Sequence, residues 1–93
     1  MNGYVVDVTP RANADLQTLS ADVALRISKK MRELANDPWP HGDTIKRLQG
    51  LHAPTYRLRI GDYRAVFRID ERRVRVLRVV HRSELARALR DLV

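Results

Sequence analysis

The chain has no cysteine, four glycines, four prolines and only five aromatic side chains among its 93 residues. Without cysteine, neither a disulfide framework nor a thiolate metal site can form, and the three histidines, His41, His52 and His81, lack metal-ligand spacing. No metal and no cofactor are therefore expected. No apolar run is long enough to cross a bilayer, and the opening MNGYVVDVTP has neither the basic start nor the apolar stretch of a secretory signal, so the cytoplasm is the expected compartment. Internal repeats and low-complexity tracts are absent as well. What remains, with 44% hydrophobic and 31% charged residues, is one small domain over residues 1–93. Such a chain buries roughly 60–65% of its unfolded surface, enough for one core of a sheet with a few helices and too little for a deep cofactor cleft.

Negative charge is scarce where positive charge is dense. Eighteen Lys and Arg stand against eleven Asp and Glu, a net +7. Residues 1–45 hold five basic and six acidic groups, whereas residues 46–93 hold thirteen and five. Fifteen of the basic residues are arginine, whose planar fork grips phosphate through two parallel hydrogen bonds and stacks on bases. A polyanionic partner follows. Nucleic acid is the commonest for a small domain, with an acidic protein or a membrane surface as competitors and a merely solubilising surface as the plain alternative.

Hydropathy patterning orders the chain as α+β. Residues 3–8, GYVVDV, read as a strand. Thr9 as N-cap and Pro10 at the first helical position open a short helix to about residue 19, on which Ala12, Leu16 and Leu19 share a face. Ser20 begins a second helix to about Asn36, with Val23, Ala24, Ile27, Met31, Leu34 and Ala35 facing inward. The two form a hairpin. Residues 37–43, DPWPHGD, break both patterns and predict a loop. Strands follow at 54–60 and 63–69, joined by the two-residue turn Gly61-Asp62, and at 74–80, where the doublet Val76-Leu77 predicts a bulge or burial on both faces in an inner strand. A final helix carries Leu85, Leu89 and Leu92 on one face. The expected architecture is an N-terminal strand, an α-helical hairpin, a three-stranded antiparallel meander joining one sheet, and a C-terminal helix.

The chemistry concentrates on the central hairpin. A two-residue turn sets Ile60 opposite Tyr63, Arg59 opposite Arg64 and Arg57 opposite Val66, with Arg68 on the same face. Like charges directly across a strand pair destabilise it, so three or four guanidiniums on one side make sense when a multiply charged anion fills the space between them. A phosphodiester fits a shallow arginine-lined sheet without metal ligands. Metal-free RNA cleavage needs a base for the 2′-hydroxyl, cations for the pentacoordinate phosphorane and an acid for the leaving 5′-oxygen. Arginine serves the middle step only. His81, beside Arg82 at the end of the last strand, is the candidate for proton transfer, with an ordinary strand-end histidine as the alternative. Lys46 could add a cation. Tyr56 and Tyr63 belong to the apolar face and read as core, and Trp39 as a packing residue.

The run KRLQGLHAPTYRLRIGDYRAVFRID followed by VRVLRVVHRSEL resembles the RelE side of the RelE/ParE superfamily, toxins of type II toxin–antitoxin modules. The resemblance covers nearly the whole chain, and YRLRIGDYRAVF is its most specific part. It implies the RelE-like fold and a metal-independent endoribonuclease (an mRNA interferase) that enters the ribosomal A site and cuts mRNA there, leaving a 2′,3′-cyclic phosphate. It also implies a cognate antitoxin wrapped around the toxin, operator DNA bound through that antitoxin, and no membrane partner. Carried onto this sequence, Arg57, Arg59, Arg64 and Arg82 match the family's catalytic basic positions, and Lys46 and Arg47 its basic K-x-L-x-G start. With them the expected catalytic set is Arg57, Arg59, Arg64, His81 and Arg82, and the expected RNA-binding set Lys46, Arg47 and Arg68. The sequence departs at Ala86, where many members carry a tyrosine that acts near the scissile group or stacks on the base; either His81 or Glu84 supplies the proton transfer, or substrate stacking is weaker, or the chain is a poor nuclease. That departure keeps open a second function, a ParE-like DNA gyrase inhibitor without nuclease activity, and a third, a basic face that serves to dock the antitoxin.

Overall fold

Residues 3–92 are described by a computed structural model of the chain. In chain order its elements are β1 (Val5–Val8), α1 (Pro10–Gln17), α2 (Ala21–Arg32), β2 (Ile45–Leu48), β3 (Thr55–Ile60), β4 (Tyr63–Asp70), β5 (Arg73–His81) and α3 (Leu85–Arg90). The strands make one sheet in the order β1-β5-β4-β3-β2, with β1 parallel to β5 and every other pair antiparallel. The α+β architecture is the expected one, with one strand more. β2 does not announce itself as a strand because, of IKRL, only Ile45 is buried and Leu48 half-buried; its pairing with β3 defines it, and its two central cations suit an edge strand exposed to other chains.

Local chemistry explains the helices. Thr9 Oγ1 accepts from Ala12 N at 3.2 Å and Pro10 occupies the first turn, which starts α1. The same cap residue ties α1 to the sheet, since Thr9 N donates to Val76 O at 3.0 Å and Thr9 Oγ1 to Leu77 O at 3.3 Å. Ser20 caps α2, which ends at Arg32 and tightens into a 3₁₀ turn, Glu33–Ala35, rather than running to Asn36. A second 3₁₀ turn, Arg82–Glu84, leads from β5 into α3.

The two faces of the sheet differ. Tyr56, Leu58, Ile60, Ala65, Phe67, Val74, Val76 and Val79 pack with Ala12, Ile27, Met31 and Leu34 of the helical layer into the main core. Tyr56 stacks on Phe67 at 5.6 Å and meets Trp39 edge-on at 6.0 Å. Trp39 thus packs edge-on against both Tyr4 and Tyr56, and its indole N–H donates to Tyr4 Oη at 2.8 Å. β5 is the inner strand expected, and its bulge lies at Leu77: Val66 pairs with Arg78 while Phe67 pairs with Val76.

Beyond Val8 the parallel partner of β5 ends, and Asp15 of α1 takes its place. Its Oδ2 accepts from Val79 N and from Arg78 Nε, both at 2.9 Å, and Asp91 approaches Arg78 Nη1 at 3.8 Å. The Asp15 and Arg78 side chains are only 14% and 11% exposed, so removing one partner strands the other. Asp15→Ala should lower stability by about 2–4 kcal/mol in chemical denaturation, through a mostly buried guanidinium left with only Asp91 at 3.8 Å and an orphaned strand N–H. A loss under about 0.5 kcal/mol would make the pair ornamental.

Candidate functional site

The hairpin β3–β4 turns through Gly61, whose φ of 57° is the left-handed geometry a type II′ turn requires at its first central position. That turn fixes the register: Ile60 pairs with Tyr63, Arg59 with Arg64 and Arg57 with Val66. On the other side of β3, Lys46 pairs with Arg57. Cross-strand partners share a face, so Lys46, Arg57, Arg59 and Arg64 line up on the side of the sheet away from the main core. Val66 lies in the same row, fully buried but outside the main core cluster.

A carboxylate that the sequence reading did not include stands among these cations. Asp43 Oδ2 accepts from Arg59 Nη1 at 2.5 Å, and its Oδ1 lies 3.1 Å from Lys46 Nζ and 3.4 Å from Arg57 Nη2. Lys46, by hydrogen bond and by charge, holds the Asp43 carboxyl below its ordinary value; desolvation opposes it, and Arg59 and Arg57 add smaller lowering effects. Arg57 is anchored further: its Nη1 donates to the Asp43 carbonyl at 2.8 Å, and its side chain is 12% exposed. Arg64 Nη1 donates to Gly61 O and Tyr63 O, both at 2.9 Å, which folds its guanidinium over the turn. Burial, then the neighbouring Arg57, Arg59 and Arg82, push the Arg64 pKa down, and Asp43 offsets part of this. Arginine stays charged regardless, so this direction reports burial first and the positive neighbourhood second rather than a titration.

Arg82 completes one end of the row. Its backbone N donates to Asp62 O at 2.7 Å, and its exposed guanidinium lies 3.7 Å from Asp62 Oδ1. Arg68 lies on the same face toward the other end of β4, where its Nε donates to Thr55 Oγ1 at 3.0 Å. Opposite it stands Arg75, a third like-charge cross-strand pair on this face after Arg59–Arg64 and Lys46–Arg57, and one that the sequence reading passed over. Together with Asp70, Arg73 and Leu77 these two arginines line a cleft of about 260 Å³.

Two expected site residues lie elsewhere. Arg47 pairs with Tyr56 and so points to the other face of the edge strand from Lys46. His81 pairs with Tyr63, on the core side, and its ring meets Tyr63 edge-on at 5.5 Å. The cause is the bulge. Were alternation to continue from Val74 and Val76, His81 would share the arginine face; the extra residue, Leu77, reverses the parity of everything after it. His81 Nδ1 accepts from Ser83 N at 3.2 Å and lies 2.8 Å from Ser83 Oγ, so it caps the turn that presents Arg82. Its surroundings are a separate cavity of about 390 Å³ lined by Asp15, Tyr63, Arg78 and Glu84 among others. Ala86, on α3, is exposed and adds no functional group to either place.

The arrangement can neutralise an anion with two or more charges along a row, and it offers hydrogen bonds in the geometry of phosphate. A family model described as the ParE toxin of the type II toxin–antitoxin system parDE matches residues 6–86. Among solved structures, the toxin–antitoxin complex RelBE2 from Mycobacterium tuberculosis contains a chain 30% identical, with a TM-score of 0.75 over 85% of this chain and 98% of that one. The intact Escherichia coli RelBE complex gives 27% identity and a TM-score of 0.68 over 84% and 95%. Free E. coli RelE, in a form with two arginines replaced by alanine, gives 23% and 0.72 over the full length of both chains. A search of curated proteins returns no match. With 81 consecutive positions under the family model (6–86), the chain belongs to the RelE/ParE superfamily of toxins of type II toxin–antitoxin systems.

Proposed function

We propose that this toxin is a RelE-type endoribonuclease that cuts mRNA in the ribosomal A site and is held inactive by a cognate antitoxin in the cytoplasm. The observation that carries this reading is the row Lys46, Arg57, Arg59 and Arg64, in which Arg59 and Arg64 oppose each other and one carboxylate serves three cations. In the reaction, the ribose 2′-oxygen attacks phosphorus, the bond to the 5′-oxygen breaks, and the products are a 2′,3′-cyclic phosphate and a 5′-hydroxyl end. Charge builds on the non-bridging oxygens of the phosphorane, where preorganised guanidiniums are worth most. Arg59 and Arg64 stand closest to that task, Arg57 and Lys46 extend it along the strand, and Arg82 stands at its edge. Identity with a chain of the mycobacterial RelBE2 complex supports the RelE side, and the antitoxins in the RelBE2 and RelBE complexes support an antitoxin partner here.

A ParE-type reading, inhibition of DNA gyrase without nuclease activity, has two observations of its own: the ParE family model and the alanine at the tyrosine position, Ala86. The arginine row weighs against it, because a basic face built around phosphate geometry suits a cut strand.

Mapping mRNA 5′ ends after brief induction separates the two. Cuts inside translated codons are expected; their absence, with supercoiling inhibition and trapped DNA breaks from the purified protein, would establish the gyrase reading. Arg64→Ala and Arg59→Ala should each reduce cleavage on the order of 100-fold, the scale seen when a transition-state donor is removed, with thermal melting nearly unchanged. A loss under about threefold would make these arginines surface charge only. His81→Ala should keep the pH–rate profile of the parent, because the imidazole lies on the other face; loss of a limb of that profile in the variant would restore it to proton transfer.

A further inference from the structure

The row of cations is already answered from within. Asp43 presents two oxygens and one negative charge to Lys46, Arg57 and Arg59, which is what a phosphodiester presents through its two non-bridging oxygens. The same N–H groups cannot serve both anions fully. We propose that Asp43 is an internal competitor of the RNA phosphate: it occupies the row in the RNA-free protein and must swing off Arg59 and Lys46 for a strand to bind, which sets the affinity and disfavours isolated phosphates. The proposal rests on the reading of this row as an RNA site.

Three features suit such an exchange. Asp43, Lys46 and Arg59 are each more than half exposed on their side chains, at 56%, 54% and 51%, so the pairs are solvent-screened and individually weak. The loop does not depend on the carboxylate for its anchorage. Arg57 Nη1 holds the backbone carbonyl of Asp43, and Arg59 N donates to the carbonyl of Thr44 at 2.8 Å, both independent of the Asp43 side chain. Gly42, immediately before Asp43, is in the left-handed region with φ of 53° and has open space where a Cβ would stand. An isolated phosphate would exchange one anion for another at little gain. A strand reaches Arg64 and Arg68 as well, whose nearest hydrogen-bond partners are carbonyls and a hydroxyl rather than carboxylates, and that surplus displaces Asp43.

The test is equilibrium binding of a ten-nucleotide 2′-O-methyl RNA, which cannot be cleaved, by fluorescence anisotropy at about 0.1 M salt. Asp43→Asn should bind roughly three- to tenfold tighter than the parent, and Asp43→Glu within about twofold of it, with unchanged melting as the folding control. In an Arg59→Ala background the gain from Asp43→Asn should shrink, since the contested guanidinium is gone. RNA binding that falls in Arg59→Ala but is indifferent to, or weakened by, Asp43→Asn overturns the competitor role and leaves the RNA reading intact. Binding absent from the parent and from Asp43→Asn alike overturns the RNA reading, and the competitor role with it.

Discussion

Two guanidiniums facing each other across adjacent strands repel, and everything distinctive about the functional face follows from how that repulsion is held. The Gly61-Asp62 turn leaves no choice of register, so Arg59 and Arg64 cannot slide past one another. Relief comes from three sides: Arg64 folds back onto the turn carbonyls, Asp43 reaches in from the loop before β2, and Arg57 grips that loop by its backbone. β2 exists in part to bring this carboxylate and Lys46 to the hairpin. A face arranged so carries one carboxylate among several cations, an excess of positive charge that the proposed phosphate strand would neutralise.

The energy that tolerates this comes from the other side of the sheet. Phe67, Ile27, Leu34, Val74 and Val76 are fully buried between the sheet and the helical layer, on the face away from the arginine row. The bulge at Leu77 mediates between the two faces. It lets Val76 stay in the core, places Arg78 beside Asp15 and Asp91, and turns His81 inward to cap the start of the C-terminal segment. Most of the apolar packing therefore lies on the face opposite the arginine row, and Arg59, half exposed on its side chain, can be substituted with more effect on function than on folding.

Membership of the RelE/ParE superfamily explains the economy of the chain: one sheet, one helical layer and an open basic face. What separates branches of such a family is side-chain chemistry on a shared scaffold. Here the arginines are present and the aromatic side chain expected on α3 is replaced by Ala86, so charge rather than stacking carries the recognition this face can offer.

The hairpin is legible in the sequence because a two-residue turn with glycine dictates pairing locally, and the Val76-Leu77 doublet marks the bulge for the same reason: both are effects of neighbours in the chain. β2 is not legible, since four residues with one buried side chain hold no periodicity of their own and become a strand only by pairing with β3. Asp43 is hidden with it, being 14 and 16 positions from the arginines it meets. Arg75 escapes notice because its partner Arg68 is set by the register beyond the bulge, and the face that His81 takes is not legible because the existence of a bulge does not reveal which side chains it turns. By itself the sequence determined the elements other than β2, the resemblance to the family and the facing arginines of the hairpin, all products of short-range patterning. Only the tertiary structure decided which charges share that row and which carboxylate answers them, because those depend on strand order and on the parity of a single inserted residue.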